Sequence, residues 1–548
     1  MTHALYPSLY QVNTRVWLGE LSKQTGRPAT FDDIPDADLD AMVAAGFDLV
    51  YFLGVWQTGA AGRAVSRANP EWREEFVGVL PDLAEDDICG SCFAVTGYGV
   101  AAALGGDDAL ARLRARLHRR GLRLILDFVP NHTALDHPWV DEHPEYYVHG
   151  TDDDLARAPQ NYRRVGEAPP AGPAHAEWGP SQPAPPARGV GGVAARSGGG
   201  AGADRGPVLA YGRDPYFAGW PDTLQLDYGN PDLQAIMRAE LGWVAHRCDG
   251  VRCDMAMLVL PEVFARTWGI AAQPFWPDAI AGVKSGRADF LFMAEVYWDL
   301  EWQLQQQGFD YTYDKRLYDR LRSGDARTVR DHLRADAGFQ RRSARFLENH
   351  DEPRAAATFS LDVHRAAAVV TFFCPGLRFF YQGQLEGAAA RLPVHLCRRR
   401  SEPVDEDLQG FYRRLLACLR SPAVRGGEWR LLECRPAWAG NWTHDCFIVS
   451  AWDDGATGDD GAGHGDDGAI GDDGTAHRVL AVVNYADVRS QCSVPLPFGD
   501  LAGARWRLRD LLGDAVYDRD GDALLSPGLY LDLPAWGYHL FTLAPRGA

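Results

Sequence analysis

The sequence is poor in cysteine, with 10 among 548 residues. That is too few for a scaffold built from disulfides. Most of the cysteines stand singly in apolar stretches, where cysteine usually behaves as a small buried hydrophobe. Cys89 and Cys92 have the spacing of a redox or half-zinc motif, but no second pair follows at the spacing of a zinc site. We therefore expect these two to be ordinary loop cysteines.

Long apolar runs and positive charge are also scarce. No uninterrupted apolar stretch approaches the roughly 20 residues needed to span a bilayer. The first residues carry neither a basic start nor an apolar run, so no signal peptide is expected. Lys and Arg number 55 against 74 Asp and Glu, which gives a formal net charge of −19. Nucleic acid and membranes attract positive surfaces, so neither is an expected partner, and we expect a cytoplasmic protein.

The chain has instead a regular alternation of short apolar runs and helical patterns up to about residue 390. Alternating units of this kind predict parallel strands joined by helices. Eight such units favour an α/β fold of the (β/α)₈ barrel type over a doubly wound sheet, because no Gly-x-Gly-x-x-Gly turn follows the first strands. The eight predicted strands lie at residues 9–17, 47–53, 122–128, 250–253, 289–296, 308–311, 344–347 and 377–381.

Three domains are expected from the changes in composition. Residues 1–132 and 230–392 form the barrel, and 133–229 form a domain inserted after the third strand. Within the insertion, residues 166–206 are rich in Gly, Pro, Ala and Ser, which predicts a flexible stretch. Residues 393–548 alternate strands and turns and predict an antiparallel β-domain. Its Asp- and Gly-rich stretch 453–474 is expected to be a solvated acidic loop rather than an array of calcium-binding turns.

Carboxylates end four of the apolar strand patterns: Asp127, Asp254, Glu295 and Asp351. The carboxyl ends of barrel strands meet on one face, so these groups should share one pocket. Four carboxylates cannot all stay ionised side by side without cations or shared protons. Arg252 stands two residues before Asp254, on the same side of the strand, and can hold one carboxylate ionised. A single such segment is equally well an ion pair or a helix cap, but four together predict a catalytic site.

These segments resemble the four signature regions of the α-amylase superfamily of retaining glycoside hydrolases and transglycosidases. They are residues 127–132 (DFVPNH), 250–254 (GVRCD), 292–295 (FMAE) and 348–351 (ENHD). Their order and their placement after the third, fourth, fifth and seventh strands match the family. Residues 375–384 resemble its eighth strand, and the resemblance covers about 9–387.

The resemblance implies a role for each residue of the site. Asp254 would be the nucleophile, Glu295 the general acid and base, and Asp351 a third carboxylate that binds sugar hydroxyls. Arg252 would orient the nucleophile. The remaining residues implied to bind substrate are Asp127, His132, His350 and Tyr98, the last beneath the sugar.

The resemblance requires no cofactor, although it leaves a calcium ion open because Asn131 matches a calcium-ligand position of the family. Met257 and Leu258 stand where many α-amylases carry Lys-His, which weakens that calcium site. Ala94 stands where exo-acting α-glucosidases usually have Asp, which counts against a simple exo-glucosidase.

The expected function is therefore a retaining glycosidase that acts on α-linked glucosides in oligo- or polysaccharides through a covalent glycosyl-enzyme. Its two catalytic carboxyl groups should lie about 5 to 5.5 Å apart. A transglycosidase or glucoside phosphorylase of the same superfamily is the alternative enzyme. A non-catalytic sugar-binding or scaffold barrel and a metal hydrolase are alternatives of other classes. The sequence does not indicate the oligomeric state.

Overall fold

Eight parallel strands close into a barrel in the computed structural model, which describes residues 4–167, 206–455 and 477–546. Each strand pairs with its neighbours in chain order, and the first strand closes the ring against the eighth. The predicted (β/α)₈ barrel is confirmed. Its strands are β1 (Ser8–Asn13), β2 (Leu49–Leu53), β3 (Arg123–Phe128), β4 (Gly250–Cys253), β5 (Leu291–Ala294), β6 (Tyr311–Tyr313), β7 (Ser343–Arg345) and β8 (Leu377–Tyr381).

The barrel strands are apolar along their length because both of their faces are covered. Every residue of β2 and of β8 is buried. Helices cover the outside of a parallel barrel and side chains fill its inside, so continuous apolar runs are typical of such strands.

The first strand is shorter than the sequence predicts. Residues 9–17 form an apolar run, but β1 ends at Asn13 and the helix Thr14–Thr25 follows directly. The Asn13 side chain accepts a hydrogen bond from the Val16 amide at 3.3 Å and so caps the helix. Val16 and Trp17 are buried on one face of this helix. An apolar run alone does not distinguish a buried strand from the start of a buried helix, which is why the prediction for 14–17 is wrong.

Helices alternate with the barrel strands and then continue towards the C-terminal part. No helix of the described residues is long and apolar enough to cross a membrane. The helices are Thr14–Thr25, Asp36–Ala44, Ala60–Ala68, Pro70–Val79, Gly106–His118, Trp139–Glu142, Asp152–Arg157, Pro231–Arg247, Pro261–Trp268, Trp276–Gly286, Glu301–Gln306, Lys315–Ser323, Ala326–Leu333, Ala337–Arg341, Ala355–Thr358, Leu361–Phe372, Glu406–Leu419, Pro422–Gly426 and Gly521–Ala523.

The segment between β3 and β4 carries two short antiparallel strand pairs. His132–Ala134 pairs with Thr223–Gln225, and Tyr162–Arg164 pairs with Val208–Ala210. The first pair holds both ends of the insertion beside the carboxyl end of β3. Most of the stretch 166–206, predicted to be flexible, lies outside the described residues, which stop at 167 and resume at 206.

The C-terminal part forms antiparallel sheets, which confirms the predicted class of this domain. The larger sheet has six strands in the order Glu428–Leu431, Phe447–Asp453, Arg478–Asn484, Tyr538–Pro545, Arg505–Asp510 and Val516–Asp520, and Ser490–Val494 pairs with Leu529–Leu533 in a second sheet. Of the acidic stretch 453–474, residues 456–474 lie outside the described part. The strands are β9 (Glu428–Leu431), β10 (Phe447–Asp453), β11 (Arg478–Asn484), β12 (Ser490–Val494), β13 (Arg505–Asp510), β14 (Val516–Asp520), β15 (Leu529–Leu533) and β16 (Tyr538–Pro545).

The sheet begins later than the predicted boundary at residue 393. The helix Glu406–Leu419 comes first, and its Tyr412 hydroxyl accepts a hydrogen bond from Gln384, just beyond β8, at 2.9 Å. Tyr412 is fully buried in the same apolar core as the barrel strands. This helix therefore packs as part of the barrel, and the C-terminal sheet starts at Glu428.

Trp452 on β10 joins the sheet to the barrel. Its indole is fully buried, packs edge-on against Tyr6, and donates to the Phe373 carbonyl at 2.9 Å. Arg378 on β8 reaches the same junction and donates to the carbonyls of Phe372 and Val424, each at 2.8 Å. A polar group buried at this junction destabilises the folded protein when its hydrogen-bond partner is removed.

Trp452→Phe should therefore lower the thermal unfolding temperature. The change leaves a buried carbonyl without its donor and opens a small cavity, which together cost about 2 kcal/mol or more. Trp442→Phe is the matched control, because Trp442 is 68% exposed. Calorimetry of both variants checks this, and equal unfolding temperatures for Trp452→Phe and wild type would contradict it.

Candidate active site

The register of strands β3, β4 and β5 places the side chains of the site around Arg252. Arg252 on β4 is the pairing partner of Asp127 on β3. Beyond the strand ends the ladder continues, since the Asp254 amide donates to the Phe128 carbonyl at 2.8 Å and the Glu295 amide donates to the Cys253 carbonyl at 3.0 Å. Paired residues, and residues two apart on one strand, point to the same side. The side chains of Arg252, Asp127, Asp254 and Glu295 therefore meet inside the barrel mouth.

The Arg252 guanidinium contacts four carboxyl groups and is fully buried. Its Nη1 lies 2.8 Å from Asp254 Oδ1 and 3.4 Å from Asp127 Oδ1. Its Nη2 lies 2.6 Å from Glu295 Oε2 and 3.8 Å from Asp351 Oδ2. One cation is thus shared among all four strand-end carboxylates, whereas the sequence suggested that it serves mainly Asp254.

Glu295 receives two further hydrogen bonds. The Met255 amide donates to Oε2 at 2.8 Å, and the Tyr297 hydroxyl donates to Oε1 at 2.9 Å. Met255 adopts a φ of 42°, in the left-handed region that residues other than glycine seldom occupy. This conformation turns its N–H towards Glu295, and such strain is characteristic of functional sites.

These groups open into a cavity of about 440 Å³. Asp254, Glu295, Asp351, His132 and His350, all predicted from the sequence, line it together. The other lining residues were not predicted from the sequence: Trp72, Glu75, Ser91, Phe93, Trp220, Asp222, Thr223, Met255, Arg391, Pro393, Val394 and His395. Several of them come from loops that only the folded chain brings to the barrel mouth.

The two predicted histidines are neutral. Burial lowers the pKa of His132 to about 3 and that of His350 well below its usual value. The Gln11 amide donates to His350 Nδ1 at 2.9 Å, which leaves the proton on Nε2. That nitrogen lies 3.1 Å from Asp351 Oδ2. A neutral imidazole with this tautomer presents an N–H donor beside the carboxylate.

Three residues predicted to bind substrate, Arg252, Asp127 and Tyr98, do not line the cavity. Asp127 is buried beside Arg252, and its carboxyl group supports the guanidinium. It accepts hydrogen bonds from the Tyr51 hydroxyl at 2.5 Å and from the Gly54 amide at 3.3 Å. The Tyr98 hydroxyl donates to the Val129 carbonyl at 3.0 Å, and the Tyr98 ring stacks on Phe128.

From the segment that contains Tyr98, the aromatic ring that lines the cavity is Phe93, five residues earlier. Its ring lies 5.0 Å from the Arg252 guanidinium carbon and 5.4 Å from the His350 ring. Phe93 lies in the loop before the strand Val95–Val100, whereas Tyr98 lies within that strand and packs against the barrel wall. The sequence predicted the correct segment. Within it Phe93 faces the cavity, whereas Tyr98 faces the barrel wall.

Comparison with known proteins gives a consistent result. The family model described as alpha amylase, catalytic domain, matches residues 96–169. Alpha-amylase MalA of Haloarcula japonica is 25% identical over 392 residues, which cover 70% of this chain and 44% of that protein. An alpha-1,4-glucan:maltose-1-phosphate maltosyltransferase of Bifidobacterium longum is 31% identical over 136 residues, 24% of this chain and 17% of that protein. The family model and both relatives belong to the α-amylase superfamily, and this chain is similar to them.

A solved structure shows the same fold. The alpha-amylase of Geobacillus thermoleovorans, in complex with acarbose, superimposes with a TM-score of 0.59 at 15% identity, covering 100% of both chains. The chain spans less than half the length of the two curated relatives.

Three carboxyl groups of the site, those of Asp254, Asp127 and Asp351, hold their protons more tightly than usual. Burial raises the pKa of Asp254 well above its ordinary value, the nearby Glu295, Asp127 and Asp351 add to this, and Arg252 opposes it. Burial also raises the pKa of Asp127 to about 6 and that of Asp351 above its usual range. Carboxyl groups packed this closely cannot all be ionised at once, so the cluster shares protons.

The resemblance leaves a calcium ion open at Asn131, but the atoms around this side chain do not fit a metal ion. Three oxygens converge there on the amide nitrogen of Gln225: Asn131 Oδ1 at 2.9 Å, the Asn131 carbonyl at 3.0 Å and the Leu226 carbonyl at 3.1 Å. The amide donor takes the place that a cation would need, whereas calcium requires six to eight oxygens. Over the described ranges 4–167, 206–455 and 477–546, no three His, Cys, Asp or Glu side chains are grouped to hold a metal.

Removal of calcium should therefore leave the stability of this protein unchanged. Many structural calcium sites contribute folding free energy, and chelators lower the unfolding temperature of proteins that have one. Thermal unfolding with excess EGTA and with added calcium checks this. An unfolding temperature that falls with EGTA and recovers with calcium would contradict it.

Proposed function

We propose that this protein is a retaining glycoside hydrolase of the α-amylase superfamily that cleaves α-linked glucosides of oligo- or polysaccharides. One observation carries the proposal. A single buried guanidinium holds Asp254 by one terminal nitrogen and Glu295 by the other, and both carboxyl groups line one cavity. Two carboxyl groups that flank one space are what a double displacement at an anomeric carbon requires.

Asp254 supplies the nucleophile in this mechanism. Its Oδ1 is held by Arg252 at 2.8 Å, which leaves Oδ2 as the attacking oxygen. Attack on the anomeric carbon forms a glycosyl ester with Asp254 as the glycosidic bond breaks. The neighbouring guanidinium favours the ionised form of Asp254 and opposes the effect of burial.

Glu295 supplies the proton. Its Oε2 accepts N–H bonds from Arg252 at 2.6 Å and Met255 at 2.8 Å, so the proton belongs on Oε1, beside the Tyr297 hydroxyl. In the first step Oε1 protonates the leaving glycosidic oxygen. In the second step Glu295 removes a proton from water, which attacks the anomeric carbon and releases the sugar with its configuration retained.

Asp351, His350 and His132 would hold the sugar in place. A carboxylate next to an imidazole N–H offers an acceptor and a donor to vicinal hydroxyl groups, and His350 Nε2 and Asp351 Oδ2 lie 3.1 Å apart. Binding in a fixed orientation contributes a large share of the rate enhancement in such sites.

Transfer of the glycosyl group to a second sugar is the other candidate, and the maltosyltransferase relative favours it. A phosphorylated donor fits the cavity poorly, because its lining includes Glu75, Asp222, Asp254, Glu295 and Asp351. Among the described residues that line it, Arg391 is the one arginine, and it forms an ion pair with Glu75. The cavity histidines are neutral, since burial also lowers the pKa of His395 to about 3. Neutral sugars are therefore the expected donors. Incubation with maltopentaose separates the two activities, since transfer gives longer products and hydrolysis shorter ones.

Asp254→Asn should reduce turnover of maltooligosaccharides by roughly 1,000-fold or more, because an amide cannot form the glycosyl ester. The control is Asp214→Asn, a buried aspartate in the inserted segment whose Oδ1 accepts the Tyr216 and Phe217 amides and which does not line the cavity. Reducing-sugar release by the wild type and both variants measures this. Full activity of Asp254→Asn would remove that residue from its role.

The acid limb of the pH profile should lie above pH 4, the ordinary range of an aspartate. Asp254 must be ionised to attack, and burial raises its pKa, so it becomes protonated at a higher pH than usual. Activity is therefore lost as the pH falls through the raised value. The measurement is kcat/KM from pH 3 to 9, with thermal unfolding at each pH to exclude denaturation. A limb at or below pH 4 would be inconsistent with this electrostatic account.

A further inference from the structure

Asp222 is a buried carboxyl group at the cavity that the mechanism above does not use. It lies in the turn before the strand Thr223–Gln225, close to the end of the inserted segment. Its side chain is only 3% exposed, and it lines the same cavity as Asp254 and Glu295. Its Oδ2 has no hydrogen-bond partner in the described structure.

Among the described residues, no cation compensates the charge of the Asp222 carboxyl group. Burial raises its pKa to about 7, and within that part of the chain the opposing effect comes from a hydrogen bond of its own backbone and not from a cation. Small residues pack around it: a Cβ built on Gly62 would lie 3.8 Å from the Asp222 Cβ and 3.4 Å from the Ala94 Cβ. The site therefore accommodates a carboxyl group but leaves its Oδ2 without a hydrogen-bond partner in the described part of the chain.

An unpaired, buried carboxyl oxygen is unfavourable for the protein without its ligand. Buried polar groups in native proteins are nearly always hydrogen-bonded, and an unpartnered one costs free energy. By contrast Asp214, in the same inserted segment, accepts two backbone N–H bonds. An unpaired carboxyl oxygen at the wall of a binding cavity indicates that the ligand supplies its hydrogen-bond partner.

We propose that Asp222 binds a hydroxyl group of the sugar in the cavity and thereby selects which α-glucosides the enzyme accepts. This inference rests on the proposed function. A carboxyl group can accept from a hydroxyl or donate to it, and a neutral sugar carries hydroxyl groups at nearly every carbon. A site built to hydrogen-bond a hydroxyl discriminates strongly against an analogue that lacks it, because its own polar group is then left unpaired.

The neighbour of Asp222 supports a sugar as the ligand. Trp220 lines the cavity two residues earlier, and the His132 ring lies 5.2 Å from its indole. Aromatic rings that accompany polar groups in a cavity provide an apolar surface for the CH groups of a ligand while the polar groups set its orientation. An indole and a carboxyl group from one turn thus offer both kinds of contact that a pyranose ring requires.

The test compares Asp222→Ala and Asp222→Asn with wild type on p-nitrophenyl α-maltoside and a series of maltooligosaccharides. Asp222→Ala should raise KM about tenfold, the effect of losing one hydrogen bond to a bound hydroxyl. Asp222→Asn, which keeps the shape and can still hydrogen-bond, should recover most of the loss. Asp214→Asn is the matched control and should leave KM unchanged.

Thermal unfolding distinguishes binding from a structural role. If Asp222 serves the ligand, Asp222→Ala removes an unpartnered buried group and should leave the unfolding temperature of the free protein unchanged or higher while KM rises. A lower unfolding temperature with an unchanged KM would assign Asp222 to structure and overturn the proposal.

Monodeoxy derivatives of the maltoside identify the contact. Removal of the hydroxyl that Asp222 binds should raise the KM of the wild type about tenfold and the KM of Asp222→Ala hardly at all. Equal losses in both proteins for every derivative would overturn the proposal while leaving the glycosidase function intact. If the wild type turns over none of these α-glucosides, the proposed function fails, and the role of Asp222 fails with it.

Discussion

The site depends on the charge balance around one buried arginine. The Arg252 guanidinium is inaccessible to solvent and lies within 4 Å of carboxyl oxygens from Asp127, Asp254, Glu295 and Asp351. A single positive charge cannot compensate four negative charges at low dielectric, so the cluster must retain protons. That requirement creates an acid and an anion side by side, which is the pair that a double displacement uses.

The barrel fixes this balance through strand register. Arg252 pairs with Asp127, and the positions that follow Cys253 and Ala294 bring Asp254 and Glu295 to the same level of the barrel mouth. A shift of one residue in β4 would turn Arg252 into the wall of the barrel and leave three carboxylates without their cation. The closed barrel, continuous around all eight strands, prevents such a shift.

The sequence predicts the barrel and the carboxylate cluster well, because both follow from local patterns. Each carboxylate ends an apolar strand, and parallel strands must place their ends together. The sequence does not reveal which aromatic side chain faces the cavity. Phe93 and Tyr98 lie in one segment, and only packing shows that Tyr98 bonds to Val129 while Phe93 lies over Arg252. Asp222 could not be predicted either, because the path of the inserted segment brings it to the site.

Mass spectrometry of the protein after reaction with a fluorinated α-glucosyl fluoride, which forms the glycosyl-enzyme but releases it slowly, tests the roles of Asp254 and Glu295 most directly. We expect one glycosyl group to be added and peptide mapping to place it on Asp254. Addition at another carboxylate, or no addition to a protein that turns over α-glucosides, would contradict the claim that Asp254 and Glu295 act on one anomeric carbon.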